Sequence, residues 1–341
     1  MKAFVLAAGI GTRLSPLTTS IPKPMIPILG KPVLYYTFSN LYKNGIDDVF
    51  VNVHYQHSSI MNFFKENKTD VKLKFSREKK LLGTAGAIKN KENFFDDTFV
   101  VMSGDGLTDI NLKKVINFHK ERMALVTIVL KKINLRFDYG IAVADKNGKI
   151  KSFVEKPFWG DIFNNNVNTG IYIFEPEVFK FIPKNKFFDF STNLFPLLMN
   201  RKQKIYGYEM EEYWIDIGNI FEYKKGVFDV LDEKVKIRDD IKSKTNKYIS
   251  VTAQIDKSVK IHGPCYIGSN VVIEKNTIIG AYSVISDDVK IGNNVFIEKS
   301  IIWKNVRIGG NVKITNSILG NNAVISNNIT LFDSVVMEYF K

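Results

Sequence analysis

Over residues 1–235, short apolar runs alternate with amphipathic segments, which is typical of layered α/β domains. The runs at 3–8, 48–53 and 98–102 predict buried parallel strands. Between the first two runs, Pro32 opens a helical pattern that Gly45 closes. Further strands are expected at 124–131, 139–144, 150–155 and 168–174. The pattern predicts a doubly wound sheet, which binds its ligands beyond the carboxyl ends of the strands.

Residues 236–250 are polar and charged, which predicts a linker. After this segment the spacing of the apolar residues changes. Isoleucine then recurs every six residues, at Ile255, Ile261, Ile267, Ile273, Ile279, Ile285, Ile291 and Ile297. The phase slips by one residue at Ile302 and again at Leu319. A six-residue period fits neither a helix nor an isolated strand pair, but it fits stacked parallel coils. Residues 251–341 therefore resemble the left-handed β-helix of hexapeptide-repeat proteins.

Composition adds few constraints. The chain has 341 residues, 45% of them hydrophobic, and a formal net charge of +13. The basic residues are spread along the chain without a recognisable nucleic-acid-binding motif, so we interpret the charge mainly as compositional bias. We expect the positive electrostatic potential of the protein to attract phosphorylated metabolites. No nucleic-acid or membrane partner is expected. Cys265 is the single cysteine, which excludes an intramolecular disulfide and favours the cytoplasm.

The first loop carries the strongest chemical signal. It contains Gly9-Ile10-Gly11-Thr12-Arg13-Leu14 and, further on, Pro22-Lys23-Pro24. Glycines allow backbone N–H groups to close around phosphate oxygens at the end of a strand. The planar guanidinium of Arg13 can donate two hydrogen bonds to a triphosphate. Two prolines hold the backbone of Lys23 extended, so that its ammonium can serve as a point charge. Leu14 stands where the dinucleotide-binding fingerprint needs its third glycine, so that motif is excluded.

The segment from Ala7 to Met25 resembles the signature of the sugar nucleotidyltransferases, and the resemblance continues along nearly the whole chain. Residues 82–87 (Leu-Gly-Thr-Ala-Gly-Ala) resemble the family's nucleobase loop, in the form common among mannose-1-phosphate guanylyltransferases. The remaining matches, in chain order, are Gly104-Asp105 followed by Asp109, Tyr139-Gly140, Glu155-Lys156-Pro157, Asn168-Thr169-Gly170 and Trp214-Ile215-Asp216-Ile217-Gly218.

The resemblance implies a Rossmann-like nucleotidyltransferase domain and a set of roles. Asp105 and Asp216 would hold Mg²⁺, while Arg13 and Lys23 would be the catalytic cations. The nucleotide would contact Ala8, Gly9, Gly11, Thr12, Arg13, Gly83, Thr84 and Gly86. The sugar phosphate would contact Gly140, Glu155, Lys156, Asn168 and Thr169. The substrates would be a nucleoside triphosphate and a hexose 1-phosphate, with GTP and mannose 1-phosphate indicated by residues 82–87; UTP, dTTP or ATP with glucose 1-phosphate stay open.

Simpler interpretations exist for single residues. Asp105 could cap a helix, Glu155-Lys156-Pro157 could be an exposed turn, and Asp216 could merely end a strand. A non-catalytic regulatory relative is disfavoured because the charged side chains of the motifs are all present. An acyltransferase activity of the β-helix is disfavoured because His262 is its only histidine. We expect the β-helix to support assembly into a homo-oligomer.

Overall fold

The computed structural model describes residues 1–133, 141–145, 147–154, 165–237 and 245–338. The chain divides into two compact units. The first comprises residues 1–10, 22–24 and 34–216, and the second comprises residues 11–21, 25–33 and 217–341. The second unit thus contains two short segments from the amino-terminal part of the chain, which the predicted division at residues 236–250 does not anticipate.

Helices and strands are numbered in chain order. The α-helices are α1 (Val33–Lys43), α2 (His57–Glu66), α3 (Gly83–Lys89), α4 (Leu112–Glu121), α5 (Phe195–Asn200) and α6 (Ile220–Leu231). The strands as far as residue 216 are β1 (Lys2–Leu6), β2 (Pro27–Ile28), β3 (Lys31–Pro32), β4 (Asp48–Val53), β5 (Lys72–Arg77), β6 (Phe99–Ser103), β7 (Gly106–Thr108), β8 (Val126–Lys132), β9 (Ile141–Ala144), β10 (Ile150–Val154), β11 (Asn166–Phe174), β12 (Ile205–Glu209) and β13 (Trp214–Asp216).

The strands of the second unit's repeat follow. They are β14 (Lys247–Ile249), β15 (Gln254–Ile255), β16 (Lys260–Ile261), β17 (Cys265–Ile267), β18 (Val272–Ile273), β19 (Ile278–Ile279), β20 (Ser283–Ile285), β21 (Lys290–Ile291), β22 (Phe296–Glu298), β23 (Ile301–Ile302), β24 (Arg307–Ile308), β25 (Lys313–Thr315), β26 (Ile318–Leu319), β27 (Val324–Ile325), β28 (Thr330–Phe332) and β29 (Val335–Val336).

A mixed sheet forms the centre of the first unit. Its described strands run in the order β10-β9-β11-β6-β1-β4-β5, and β8 pairs with β11 and β12. The strands β6, β1, β4 and β5 are mutually parallel, as the sequence predicts. Strand β11 is antiparallel to β6 and β8, so the doubly wound part is confined to one side of the sheet. The predicted α/β fold class is confirmed.

Aromatic side chains fill much of the core of this unit. Phe99 stacks on Phe95, Phe174 and Phe179, with ring centroids 4.1, 5.6 and 5.5 Å apart. Phe190 and Phe195 are buried in the same cluster. Buried aromatic rings contribute large apolar areas, so this cluster gives the sheet a rigid support.

The second unit contains three sheets of short parallel strands, one with six described strands and two with five. Successive coils bring residues 18 apart into contact at first and residues 17 apart later, as Ser269 with Asp287 and Asn294 with Asn311 show. The one-residue slip of the isoleucine period therefore shortens a coil by one residue. Inward-facing isoleucines and valines stack in a single buried column. The predicted β-helix is confirmed.

Asparagine is frequent at the corners of the coils. Many corner residues have positive φ, among them Asn270, Asn276, Asn294, Asn305, Asn311, Asn322 and Asn328. Asparagine tolerates the left-handed conformation better than most residues other than glycine. The abundance of asparagine in the β-helix thus has a conformational reason.

The range predicted as a linker needs a correction. Strand β14 lies within it and pairs in parallel with β17, so the first coil begins at Lys247. The polar residues on either side hid this short strand, in which Tyr248 is buried and Ile249 is exposed. Residues 238–244 lie outside the described residues. No helix among the described residues is long and apolar enough to cross a membrane.

Candidate active site

Three charged residues of the sequence motifs meet in the first unit. Lys23 Nζ lies 2.5 Å from Asp105 Oδ2 and 3.2 Å from Asp216 Oδ1. The side chains of Lys23, Asp105 and Asp216 are only 11%, 23% and 19% exposed. Water therefore screens these ion pairs weakly. The structure brings together residues that lie far apart in the sequence.

Backbone pairing explains why the two aspartates are neighbours. Strand β6 ends at Ser103, the chain turns through Gly104 and Asp105, and β7 begins at Gly106. Strand β13 runs antiparallel to β7 and places Asp216 opposite Gly106. A strand rather than a helix follows Asp105, so the alternative that Asp105 caps a helix is wrong.

Gly104 is tightly packed in this turn. The backbone N–H of Gly104 donates to the carbonyl oxygen of Leu6, with an N–O distance of 2.8 Å. A β-carbon at Gly104 would lie 3.1 Å from that oxygen and 3.0 Å from Leu34 Cδ1. A side chain at residue 104 would therefore require Leu34 or the end of β1 to shift, and glycine lets the turn that carries Asp105 lie closely against β1.

The electrostatics of the cluster favour the charged forms. Burial by itself disfavours the charge on Lys23, but the carboxylates of Asp105 and Asp216 outweigh it and raise the pKa of Lys23. Burial also acts against the charge on Asp105, yet the Lys23 ammonium and the Ser103 hydroxyl hold the pKa of Asp105 below its usual value. Lys23 and Asp105 are therefore both ionised at neutral pH.

The donor set is compatible with a divalent ion. In the described part of the chain, no three His, Cys, Asp or Glu side chains are grouped to hold a metal by themselves. Magnesium commonly takes one or two protein carboxylates and completes its shell with water and substrate oxygens. Asp105 and Asp216 fit that pattern, since their two carboxylates converge on one cationic group, the ammonium of Lys23.

The glycine-rich loop is divided between the two units. Ala8 and Gly9 belong to the first unit, and Ala8 is buried whereas Gly9 is exposed. A β-carbon on Gly9 would have no atom within 4 Å. Gly11, Thr12 and Arg13 belong to the second unit. Gly11 has a φ of 73° and its carbonyl accepts a hydrogen bond of 2.9 Å from the Thr18 hydroxyl. Thr12 and Arg13 follow in a short 3₁₀ helix and are exposed.

The predicted base loop forms the beginning of α3 and packs on residues 186–190. A β-carbon on Gly83 would lie 2.6 Å from Phe188 O, and one on Gly86 would lie 2.8 Å from Lys186 O. The Thr84 hydroxyl donates to Asp189 Oδ2 at 2.8 Å and accepts from the backbone N–H of residue 190 at 2.7 Å. Both glycines thus permit close backbone approach, and Thr84 fixes the loop.

The sugar-phosphate motifs are only partly described. Gly140, Glu155 and Lys156 lie outside the described residues. Asn168 lies on β11 at an irregularity in its pairing with β8, and its amide donates to Tyr172 Oη at 2.8 Å. The buried Thr169 hydroxyl donates to a backbone carbonyl oxygen at 2.8 Å, which supports the strand. The sugar-binding roles of these residues stay predictions.

Two buried polar residues next to these loops were missed by the sequence analysis. Asn52 lies near the end of β4, and Glu78 follows β5. Asn52 Nδ2 donates to Glu78 Oε1 at 2.7 Å, and both residues are buried. The only sequence signal was an asparagine inside an apolar strand, between Val51 and Val53.

Comparison with known proteins identifies the class. A family model described as nucleotidyl transferase matches residues 2–233, and one described as the EIF2B subunit epsilon LbH domain matches residues 244–340. The chain belongs to the nucleotidyl transferase family. Its relatives include sugar-1-phosphate nucleotidyltransferases, as the motifs imply, and the protein is an enzyme of that class.

Individual relatives differ in their substrates. The chain is 37% identical to the UTP–glucose-1-phosphate uridylyltransferase of Synechocystis sp., covering 89% of this chain and 83% of the relative. It is 31% identical to mannose-1-phosphate guanylyltransferase 1 of Arabidopsis thaliana, covering 82% of this chain and 78% of the relative. Among solved structures, HddC from Yersinia pseudotuberculosis is similar with a TM-score of 0.60 and 28% identity, covering 67% of this chain and 99% of HddC.

Proposed function

We propose that the cluster of Lys23, Asp105 and Asp216 is the catalytic centre of the nucleotidyl transfer. The observation that carries the proposal is the mostly buried ammonium of Lys23, which contacts both carboxylates. An oxygen of the sugar 1-phosphate attacks the α-phosphorus of the nucleoside triphosphate, and pyrophosphate leaves. One P–O bond forms as another breaks, so no covalent intermediate with the protein is required.

Both substrates are anions, so the protein must supply positive charge and alignment. We assign Arg13 to the β- and γ-phosphates and Lys23 to the charge that develops on the transferred phosphoryl group and the leaving pyrophosphate. Lys156 would hold the phosphate of the sugar, with Gly140, Glu155, Asn168 and Thr169 around it. No general base is needed, because a sugar phosphate is already ionised at neutral pH.

A divalent ion, which we propose to be Mg²⁺, would be held by Asp105 and Asp216. When bound, it supplies Lewis-acid stabilisation of phosphate oxygens. The fixed turn at Gly104 and the pairing of β7 with β13 keep the two carboxylates in place for it. Ser103 and Lys23 keep the Asp105 carboxyl ionised, which is the form that binds a metal.

For the substrate pair we propose GTP and mannose 1-phosphate. The form of residues 82–87 supports a guanine nucleotide, as do the guanylyltransferases among the relatives. HddC has also been solved in complex with GMP-PN. The second candidate is UTP with glucose 1-phosphate, which the 37% identity to the Synechocystis uridylyltransferase favours.

A substrate panel tests the proposal. The full-length protein is incubated with Mg²⁺ and each of GTP, UTP, dTTP and ATP against mannose 1-phosphate and glucose 1-phosphate, and pyrophosphate release is measured. We expect the highest kcat/KM for GTP with mannose 1-phosphate. A preference for UTP with glucose 1-phosphate would establish the second candidate, and no turnover with any pair would contradict the proposed catalytic centre.

Two further expectations accompany this function. A cytoplasmic location, expected from the single cysteine, stays a prediction. We also propose self-association through the β-helix, because its flat parallel sheets offer rigid surfaces to a second copy. Light scattering on the full-length protein tests this, since a monomer has a mass of 38.9 kDa. A measured mass equal to that of the monomer would contradict the oligomer.

A further inference from the structure

A chain of three hydrogen bonds, two buried and one partly buried, connects the two segments proposed to enclose the nucleotide. The Asn52 side-chain oxygen accepts from the backbone N–H of Ala7 at 2.8 Å, just after β1. The Asn52 side-chain nitrogen donates to Glu78 Oε1 at 2.7 Å. Glu78 Oε2 then accepts from the backbone N–H of Leu82 at 3.3 Å, directly before α3. Two side chains thus link the start of the glycine-rich loop to the start of the base loop.

The backbone that carries Asn52 and Glu78 is held firmly by hydrogen bonds. The backbone N–H of Glu78 donates to the Val53 carbonyl oxygen at 2.9 Å, and the Glu78 carbonyl oxygen lies 2.8 Å from His54 Nδ1. Asn52 itself lies within the parallel pairing of β4 with β1 and β5. Because β4 holds both residues through the backbone, a change at either side chain acts on the loops rather than on the sheet.

The donor and acceptor pattern is specific. The group facing Ala7 must accept a hydrogen bond, and the group facing Glu78 must donate one, which a side-chain amide at position 52 provides. The group at position 78 must accept from both sides, which a carboxylate provides. An amide at position 52 and a carboxylate at position 78 therefore satisfy all three hydrogen bonds of the link. Few other pairs of side chains do so.

We propose that Asn52 and Glu78 are positioning residues for the nucleotide, which fix the base loop relative to the end of β1. The inference rests on the proposed placement of the nucleotide against Ala8–Gly9 and Gly83–Gly86. Neither residue needs to touch the substrates. Their effect is on the affinity for the nucleoside triphosphate, while the sugar phosphate binds to other segments.

Two single variants and their combination test the link. In Asn52→Asp a second carboxylate faces Glu78, and the donor between them is lost. In Glu78→Gln one acceptor oxygen is replaced by an NH₂ donor. This donor then faces another donor, either the Asn52 NH₂ group or the Leu82 N–H. The double variant Asn52→Asp/Glu78→Gln restores every bond with the direction of the middle one reversed. A buried polar group left without its partner costs enough to expect an increase of about tenfold in the KM for the nucleotide in each single variant.

The measurement is steady-state pyrophosphate release from the full-length protein, with each substrate varied in turn and with the thermal melting of each variant recorded. We expect the KM for the nucleotide to rise in both single variants and to return to within about threefold of the original value in the double variant, since the lost bonds are regained. The KM for the sugar phosphate should change little. Asn40→Asp is the matched control, because Asn40 is a buried asparagine that donates to the Ile110 carbonyl oxygen.

Two results would overturn the inference. One is an unchanged KM for the nucleotide in both single variants, and the other is a double variant whose defect equals the two single defects combined. Turnover by the unmodified protein separates these results from a failure of the proposed function. If Asn52→Asp does not fold, Glu78→Gln introduces no new charge and decides the question by its own KM for the nucleotide.

Discussion

Trp303 Nε1 donates a hydrogen bond of 2.8 Å to Tyr223 Oη, and both side chains are fully buried in the second unit. The Tyr223 hydroxyl in turn donates to the Pro27 carbonyl oxygen at 2.7 Å. One hydroxyl thus joins three parts of this unit: helix α6, strand β2 and the coil after β23. Burial raises the pKa of Tyr223 far above its usual value, so the hydroxyl keeps its proton.

We expect Tyr223→Phe to destabilise the protein by about 1–3 kcal/mol, because the buried indole N–H of Trp303 and the carbonyl oxygen of Pro27 would lose their partner. Chemical denaturation followed by fluorescence measures this. Tyr282→Phe is the control, since Tyr282 Oη donates to Asp232 in an exposed bond of 2.9 Å. A change within about 0.5 kcal/mol is expected there. Equal effects of the two substitutions would contradict a special role of Tyr223.

Asp105→Asn and Asp216→Asn should each lower kcat by at least about a hundredfold, because the ligands proposed for the divalent ion would lose a charge. Pyrophosphate release at several Mg²⁺ concentrations, together with thermal melting, measures the effect. Asp96→Asn is a suitable control, since Asp96 pairs with Lys2 on the surface. Near-normal turnover of either variant would remove that residue from the catalytic centre.

Lys156→Ala should raise the KM for the sugar phosphate by about tenfold or more, since a charged hydrogen bond to phosphate would be lost. The KM for the nucleotide should change much less. Varying each substrate separately distinguishes the two effects. The control is Lys151→Ala, which removes an exposed lysine paired with Asp145. An effect of Lys156→Ala on the nucleotide alone would assign this lysine to the other substrate.

Acid should weaken the first unit through His119. This histidine is 1% exposed, with Nδ1 2.8 Å from Thr127 Oγ1 and Nε2 3.0 Å from Glu175 Oε1. Burial lowers its pKa below 6.5 despite the nearby carboxylate of Glu175. The unfolded chain therefore binds a proton first as the pH falls through about 6.5, and the folded state loses up to about 1.4 kcal/mol per pH unit from there down to its own, lower pKa for His119.

Thermal melting between pH 7.5 and 5.0 tests this dependence. The variant His119→Gln should melt at a lower temperature at pH 7.5, because a buried contact is disturbed, but it should lose less stability on acidification. His57→Gln, at a half-buried position at the start of α2, is the control and should keep the original pH profile. Identical slopes for the original protein and His119→Gln would show that another group is responsible.

Local and repetitive features are where the sequence is most informative. The six-residue isoleucine period specifies the coils of the β-helix, because each turn of the chain must present an apolar residue inward at the same place. The one-residue slip at Ile302 corresponds to the change from 18-residue to 17-residue coils that the structure shows. The runs at 48–53 and 98–102 likewise become β4 and β6, since their apolar side chains must be buried on both faces.

Tertiary structure alone decides which distant residues meet. Lys23 and Asp216 are separated by 193 positions, and their contact follows from the pairing of β7 with β13 and the close packing at Gly104. The link between Asn52 and Glu78 and the allocation of residues 11–21 to the second unit are decided in the same way. Periodicity determines which face of an element is buried, but the partner on that face depends on the packing of the complete chain.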